Sequence, residues 1–210
     1  MSQIFKIHSQ NPQARLIAQV VHVLKAGGVI VYPTDSGYAL GCQLGDKAAL
    51  ERIRRIRNLG KEHYFTLVCR DLSELATYAQ VDNHIFRILK IFTPGPYTFI
   101  LKAARSVPRR LQNPRRKTVG LRIPRNNIAL AILEALDEPL MSTSLILPDT
   151  EVMAIEPEAV KELLGSKIDL IVDGGFCGLE PTSVIDFVEG EPKVIRKGKG
   201  DVTPFLRGEL

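Results

Sequence analysis

Two arginines and a group of hydroxyls in this chain sit where their chemistry demands a partner. Leu50, Ile53 and Ile56 mark the buried stripe of a helix, and Arg57, four residues after Ile53, falls beside that stripe while Arg54 and Arg55 point away. A guanidinium near a core needs a carboxylate or phosphate, because an unpaired buried charge is strongly unfavourable. The alternative is a helix that frays one turn early and leaves Arg57 solvated. In the run Thr118 to Ile123, strand alternation puts Val119, Leu121 and Ile123 on one face and Gly120 and Arg122 on the other. A glycine beside an arginine leaves room for a ligand. The same alternation in Leu140 to Leu147 places Ser142 and Ser144 on one face. Those hydroxyls either line a floor beneath that ligand or act as plain structural donors. The chemistry these types share is the binding and neutralising of an anion.

A further run, Pro33-Thr34-Asp35-Ser36-Gly37-Tyr38-Ala39-Leu40-Gly41, follows the apolar stretch Gly28 to Tyr32. Valine and isoleucine between glycine and proline read as a buried strand that the proline ends, so the run is expected to be a loop at a strand end. Such loops are where open α/β proteins bind ligands. Pro, Asp, Ser and Gly are equally the residues of a plain turn. Charge is distributed unevenly. Between Asp82 and Glu134 there is no acidic residue, while eleven arginines and lysines fall there, among them Arg109, Arg110, Arg115, Arg116, Lys117, Arg122 and Arg125. A second basic cluster comprises Arg52, Arg54, Arg55, Arg57 and Lys61, and the last third is comparatively acidic, with Glu151, Glu156, Glu158, Glu162, Asp169 and Asp173. Potential concentrated in this way attracts phosphates on a nucleotide or a nucleic acid backbone. The stretch Arg105 to Lys117 also reads as a solvated loop. The aromatics of the chain are few and not interleaved with this basic run, so no stacking platform for single strands is expected.

The elements that must position these groups alternate between helices and strands, which predicts an α/β or mixed-sheet architecture. Helices are expected over Pro12 to Ala26, closed by Gly27 and Gly28, over Asp46 to Asn58, Asp82 to Phe92, Asn127 to Leu136 and Pro157 to Leu164. Strands are expected over Phe65 to Cys69, Tyr97 to Leu101, Val119 to Ile123, Leu140 to Leu147, Ile168 to Val172, Ser183 to Val188 and Lys193 to Arg196. With 210 residues, 45% apolar and 24% charged, one domain spanning 1–210 is expected. The absence of a long apolar run or a signal-peptide pattern predicts a cytoplasmic protein that does not enter a membrane. Cys42, Cys69 and Cys177, like His8, His22, His63 and His84, are scattered and suggest neither a disulfide framework nor a zinc site.

Taken in order, Pro33 to Gly41, Arg55-Ile56-Arg57, Pro94-Gly95-Pro96-Tyr97-Thr98, Leu121-Arg122-Ile123-Pro124 and Pro139 to Ser144 resemble the YrdC family of threonylcarbamoyl-AMP synthases, and within it the YciO branch. Pro181 to Asp186 and Val194-Ile195-Arg196 look like its closing strands, so the match spans about Ile4 to Phe205. The resemblance implies a twisted, open mixed sheet with flanking helices around a positively charged concave cavity. It implies ATP, with Mg²⁺, L-threonine and bicarbonate as substrates. The products are threonylcarbamoyl-AMP and pyrophosphate, the former a donor for threonylcarbamoyl modification of tRNA. Carried across by motif, Thr34, Arg122, Ser142 and Thr182 would surround the amino acid, with Arg55, Arg57, Ser144 and Arg196 toward the nucleotide.

The chain departs from the family pattern at three positions. Arg55 stands for the lysine of Lys-x-Arg, Ile146 for the asparagine of Ser-x-Asn, and Cys69 for a histidine found in many members. An aliphatic group in place of a carboxamide predicts weaker nucleotide recognition. A second reading is a non-catalytic protein that binds tRNA or double-stranded RNA through its basic cavity, with Arg109, Arg110, Arg115, Arg116 and Lys117 on phosphates.

Overall fold

The computed structural model describes residues 2–60, 63–146 and 156–208, apart from the side chain of Arg110. Lys61, Leu147 and Glu151, named above, lie outside the described residues. The first elements are β1 (Gln3–Lys6), α1 (Ala14–Lys25), β2 (Ile30–Thr34), β3 (Gly37–Gln43), α2 (Lys47–Ile56) and β4 (Thr66–Val68). Next come α3 (Leu72–Tyr78), α4 (Asn83–Phe92), β5 (Tyr97–Lys102), a short 3₁₀ turn (Arg109–Leu111) and β6 (Thr118–Arg122). The chain continues with α5 (Asn127–Leu136), β7 (Leu140–Ser144), α6 (Pro157–Leu164), β8 (Leu170–Asp173), β9 (Ser183–Asp186), β10 (Lys193–Arg196) and α7 (Thr203–Arg207). This is the mixed α/β architecture the sequence predicts.

The elements gather into two units, each assembled from separate stretches of chain. The first takes residues up to His63 together with Asn126–Glu180. Its strands run in the order β1, β8, β2, β3, β7, with β8 parallel to β1 and β2, and β3 antiparallel to β2 and β7. Helices α1 and α5 pack on each other, α5 against β2 and α2 against β3. Glycine ends α1 as expected. Gly27, at φ +82°, donates to the Leu24 carbonyl and Gly28 to the Val23 carbonyl, which answers two of the carbonyls a helix end leaves open. The Asp46 carboxylate accepts from the Ala49 amide at the start of α2, and Leu50, Ile53 and Ile56 are buried as their spacing dictates.

The run after Pro33 is not a loop. β2 continues through Pro33 to Thr34, turns at Asp35 and Ser36, and returns as β3, with Pro33 opposite Tyr38 and Thr34 opposite Gly37. Proline ends a strand when its missing N–H is needed by a neighbour. Here β8 pairs with β2 only at Ile30 and Val31, so Pro33 lies beyond that ladder and leaves no bond unmade.

The second unit takes Tyr64–Arg125 and Pro181–Leu210. Its strands run β4, β6, β5, β9, β10, with β4 parallel to β6, β5 parallel to β9, and the other neighbours antiparallel. Along β5 and β6, the side chains of Phe99, Leu101, Val119 and Leu121 are buried on one face. Phe92, Tyr97, Phe99, Phe187 and Phe205 form a continuous aromatic cluster with centroid separations of 4.5 to 6.4 Å. The glycine of the closing segment is dictated by this cluster, since a Cβ at Gly200 would lie 2.4 Å from the Tyr97 ring. The opposite face of this sheet carries Thr66, Thr98, Gly120, Arg122 and Val184, and it holds the polar residues described next.

Candidate functional site

In the first unit the hydroxyls of the motifs are engaged by the scaffold. Thr34 is 1% exposed, and its hydroxyl donates to the Gly37 carbonyl at 2.6 Å while accepting from the Ser36 amide. It therefore locks the β2–β3 turn. Tyr38 donates to the Gly175 carbonyl and accepts from the Gly174 amide, which ties the hairpin to the turn after β8. Burial is the main reason its phenol is held well above the usual tyrosine range. The Tyr32 hydroxyl donates to Ser142 Oγ at 2.8 Å, and Ser142 donates to the Leu40 carbonyl. The Tyr32 ring lies over Gly41, where a Cβ would come within 2.8 Å of it. Removing the phenol oxygen in Tyr32→Phe is expected to leave Ser142 short of one donor and to cost about 1 kcal/mol, read as a lower urea midpoint at unchanged m-value. Ser144, paired with Ala39 in β3, is half-buried.

Arg57 follows the last turn of α2 with its backbone still in the helical region (φ −91°), so the helix does not fray early. Its guanidinium is half-buried and donates to the main-chain carbonyl of Ile146, while its Nε is buried with no hydrogen-bond partner among the described residues. Burial lowers its affinity for a proton below that of ordinary arginine. Arg55 is exposed and curls onto the Glu51 carbonyl of its own helix. Arg54 does not point away into solvent as its helical position predicts. Its side chain is 16% exposed and donates to the carbonyls of Gly60 and His63, because the chain after α2 folds back across it. His63 in turn contacts the Thr143 hydroxyl at 3.2 Å. Burial, then the charges of Arg57 and Arg54, lower its pKa and favour the neutral ring.

In the second unit, Arg122, Arg196, Thr98 and Thr182 converge. The Thr98 and Thr182 hydroxyls are 2.8 Å apart, and both side chains are buried. Arg196 donates through Nε and Nη2 to the Thr182 carbonyl and through Nη2 to its hydroxyl at 3.1 Å. The approach requires Gly198, whose Cβ would lie 2.6 Å from the Thr182 carbonyl oxygen. Arg122 is 7% exposed on the neighbouring strand. The Arg196 guanidinium is pushed toward deprotonation first by burial and then by the like charge of Arg122. A Cβ at Gly120 would stand 3.5 Å from Thr66 Oγ1 and Thr98 Cγ2, an ordinary contact distance. Cys69 is fully buried. Burial, then Glu74 and Asp71, hold its thiol well above the ordinary range, so it is inert rather than nucleophilic.

The basic segment divides. Arg116 donates to the buried carboxylate of Asp186 at 2.7 Å, an ion pair that fixes the segment to β9. Arg109, Arg115 and Lys117 are exposed, and the side chain of Arg110 lies outside the described residues. Sequence reasoning missed Arg54, His63 and Thr98 as neighbours of these groups. It also missed α3, although Asp71-Leu72-Ser73-Glu74 carries the spacing of a capping box and Asp71 does accept from the Glu74 amide.

Comparison with known proteins places this geometry. The Sua5/YciO/YrdC family model, described as "Telomere recombination", matches residues 22–198. The YciO protein of Escherichia coli K12 is 59% identical over 206 residues, which are 98% of this chain and 100% of that protein. The crystal structure of E. coli YciO superposes with a TM-score of 0.94 over 98% of this chain. A threonylcarbamoyl-AMP synthase of Nitrosococcus oceani is 32% identical over 170 residues, 78% of this chain and 86% of that enzyme. The crystal structure of P. abyssi Sua5 complexed with L-threonine, at 25% identity, superposes with a TM-score of 0.85 over 94% of this chain and 58% of that one. With the family model covering most of the sequence and a relative matched along its whole length, the chain belongs to the Sua5/YciO/YrdC family.

Proposed function

We propose that the protein is a threonylcarbamoyl-AMP synthase-like nucleotidyltransferase. The amine of threonine and bicarbonate give a carbamate, whose oxygen attacks the α-phosphorus of ATP as pyrophosphate departs. Such a reaction needs positioning and charge neutralisation more than a protein nucleophile. The observation that carries the reading is that Arg196 bonds the Thr182 hydroxyl, itself paired with that of Thr98, while the like charge of Arg122 acts on Arg196. Two like charges held together beside hydroxyl donors are stabilised by an anion, and a threonine carboxylate or a phosphate meets that demand. Within the first unit, Arg57 has an unused buried donor suited to phosphate oxygens. In this reading the Thr34 and Ser142 hydroxyls, already bonded within the first unit, serve its scaffold. Arg55, exposed on α2, adds long-range attraction. Mg²⁺ enters as the ATP chelate. Among the described residues no cluster of three or more His, Cys, Asp or Glu could hold a metal ion.

The test is incubation with ATP, Mg²⁺, threonine and bicarbonate, with pyrophosphate and threonylcarbamoyl-AMP both measured. Release that depends on threonine and bicarbonate supports the reading, and ATP binding with no such release under any condition overturns it. Ile146→Asn is expected to lower the KM for ATP by about 10-fold, the worth of one good hydrogen bond. Arg57 grips the main chain at position 146, so that exchange leaves its anchor in place.

A further inference from the structure

The carboxyl ends of four strands of the first unit meet at one edge of its sheet. β1, β8 and β2 run parallel, and β7 runs the same way because both it and β2 are antiparallel to β3. Open sheets of parallel strands bind their ligands at such an edge. At the β7 end, the Ile146 carbonyl accepts from Arg57, whose buried Nε has no hydrogen-bond partner among the described residues. At the β8 end, the chain turns away through Gly174 and Gly175, and the turn is pinned. The Gly175 amide donates to Asp173 Oδ1, the Gly174 amide donates to the Tyr38 hydroxyl, and that hydroxyl donates to the Gly175 carbonyl. Tyr38 joins the two ends, because its own carbonyl accepts from the Leu145 amide one residue past β7. Phe176 follows the pinned turn. Its side chain is 76% exposed, more than any other large apolar residue among those described. Gly175 at φ +79° and Gly178 at φ +97° take conformations that side chains disfavour, and a Cβ at Gly175 would meet nothing within 4 Å. The backbone thus stands clear of the fold and holds an aromatic ring in water, where its apolar faces have no cover.

We propose, building on the nucleotide-binding reading above, that Phe176 is the surface on which the base of the nucleotide stacks while Arg57 receives its phosphates. In the sheet, β2 and β3 lie between β8 and β7, so three inter-strand steps of about 4.8 Å, about 14 Å in all, separate the two ends. An extended nucleoside triphosphate covers that span. The residues next to Phe176, Gly175 and Cys177, are small, so the uncovered surface is nearer the size of one ring than of a protein interface, which buries about 800 Å² a side. A flat base matches such a ring, and the pinned turn before it fixes where the ring stands. Inorganic tripolyphosphate carries the same anion without the base and gains nothing from Phe176.

The chain contains no tryptophan, so Phe176→Trp places a single indole fluorophore at this position. ATP, added with Mg²⁺ but without threonine or bicarbonate, is expected to quench its emission, whereas tripolyphosphate is not. Calorimetric titration is expected to give an ATP Kd about 10-fold higher for Phe176→Ala than for the parent, within the range that one stacked base is worth. Tripolyphosphate affinity stays unchanged in that variant, and Phe176→Trp binds ATP as the parent does. Circular dichroism confirms that the variants are folded. Arg57→Ala is expected to weaken both ligands, and an unchanged tripolyphosphate Kd there would place the anion elsewhere and remove the span that brings the base to Phe176. ATP binding by the parent and by Phe176→Trp without quenching, equal quenching by tripolyphosphate, or parent-like ATP affinity in Phe176→Ala would each overturn the stacking assignment and leave the nucleotide reading standing. No binding of ATP by the parent would overturn that reading, and the stacking with it.

Discussion

Arg57→Ala is expected to lower kcat/KM for threonine-dependent pyrophosphate release by at least about 100-fold, the typical loss when one positioned donor to a developing anion is removed. The fold should hardly notice. The lost bond to the Ile146 carbonyl is offset by no longer burying a charge, so the stability change is expected to stay within about 1 kcal/mol. That separation is the point of the measurement, because a merely structural arginine would lower thermal stability and activity together. Arg57→Lys keeps the charge but loses the planar fork, and is expected to recover only a small part of the rate. If Arg57→Ala kept full turnover, the anion assigned to it would have to be held elsewhere.

Arg116→Ala is expected to destabilise the protein by about 3 kcal/mol in urea or thermal unfolding at neutral pH, because it leaves the Asp186 carboxylate buried without its counter-charge. The carboxylate side chain is 5% exposed and its other oxygen already accepts from the Val188 amide, so little water can replace the guanidinium. Adding Asp186→Asn removes the stranded charge, and the double variant is expected to be more stable than Arg116→Ala alone. Arg109→Ala, by contrast, should fall within about 0.5 kcal/mol of the parent, as exposed substitutions do. Equal effects at the two positions would remove the distinction between a strut and a surface cation.

Much of this was legible in the residues. Caps at Asp46 and Asp82, the glycine stop at Gly27 and the apolar stripe of α2 each rest on local chemistry, and each is where its pattern puts it. The ordered motifs led to the family. What the pattern hid was set by distant partners. Pro33 reads as a terminator unless one knows that β8 stops pairing at Val31. Arg54 reads as solvent-facing unless the carbonyls of Gly60 and His63 are seen to accept from it. Arg116 looks identical to Arg115 in sequence, and only Asp186, seventy residues later, makes it a structural ion pair. The hydroxyls of Thr34 and Ser142 likewise have the right types for a ligand, yet nearby backbone and Tyr32 already engage them.

The strand order of the first unit also constrains how the chain is made. β8, residues 170–173, lies between β1 and β2, which are both synthesised before residue 35. Until β8 has been made, β1 has no neighbour and one edge of β2 stays open, so a nascent chain carries bare strand edges throughout the synthesis of residues 35–170. Each unit closes only by bringing together stretches far apart in sequence, which favours slow folding and places the greatest risk of aggregation before Leu170 emerges.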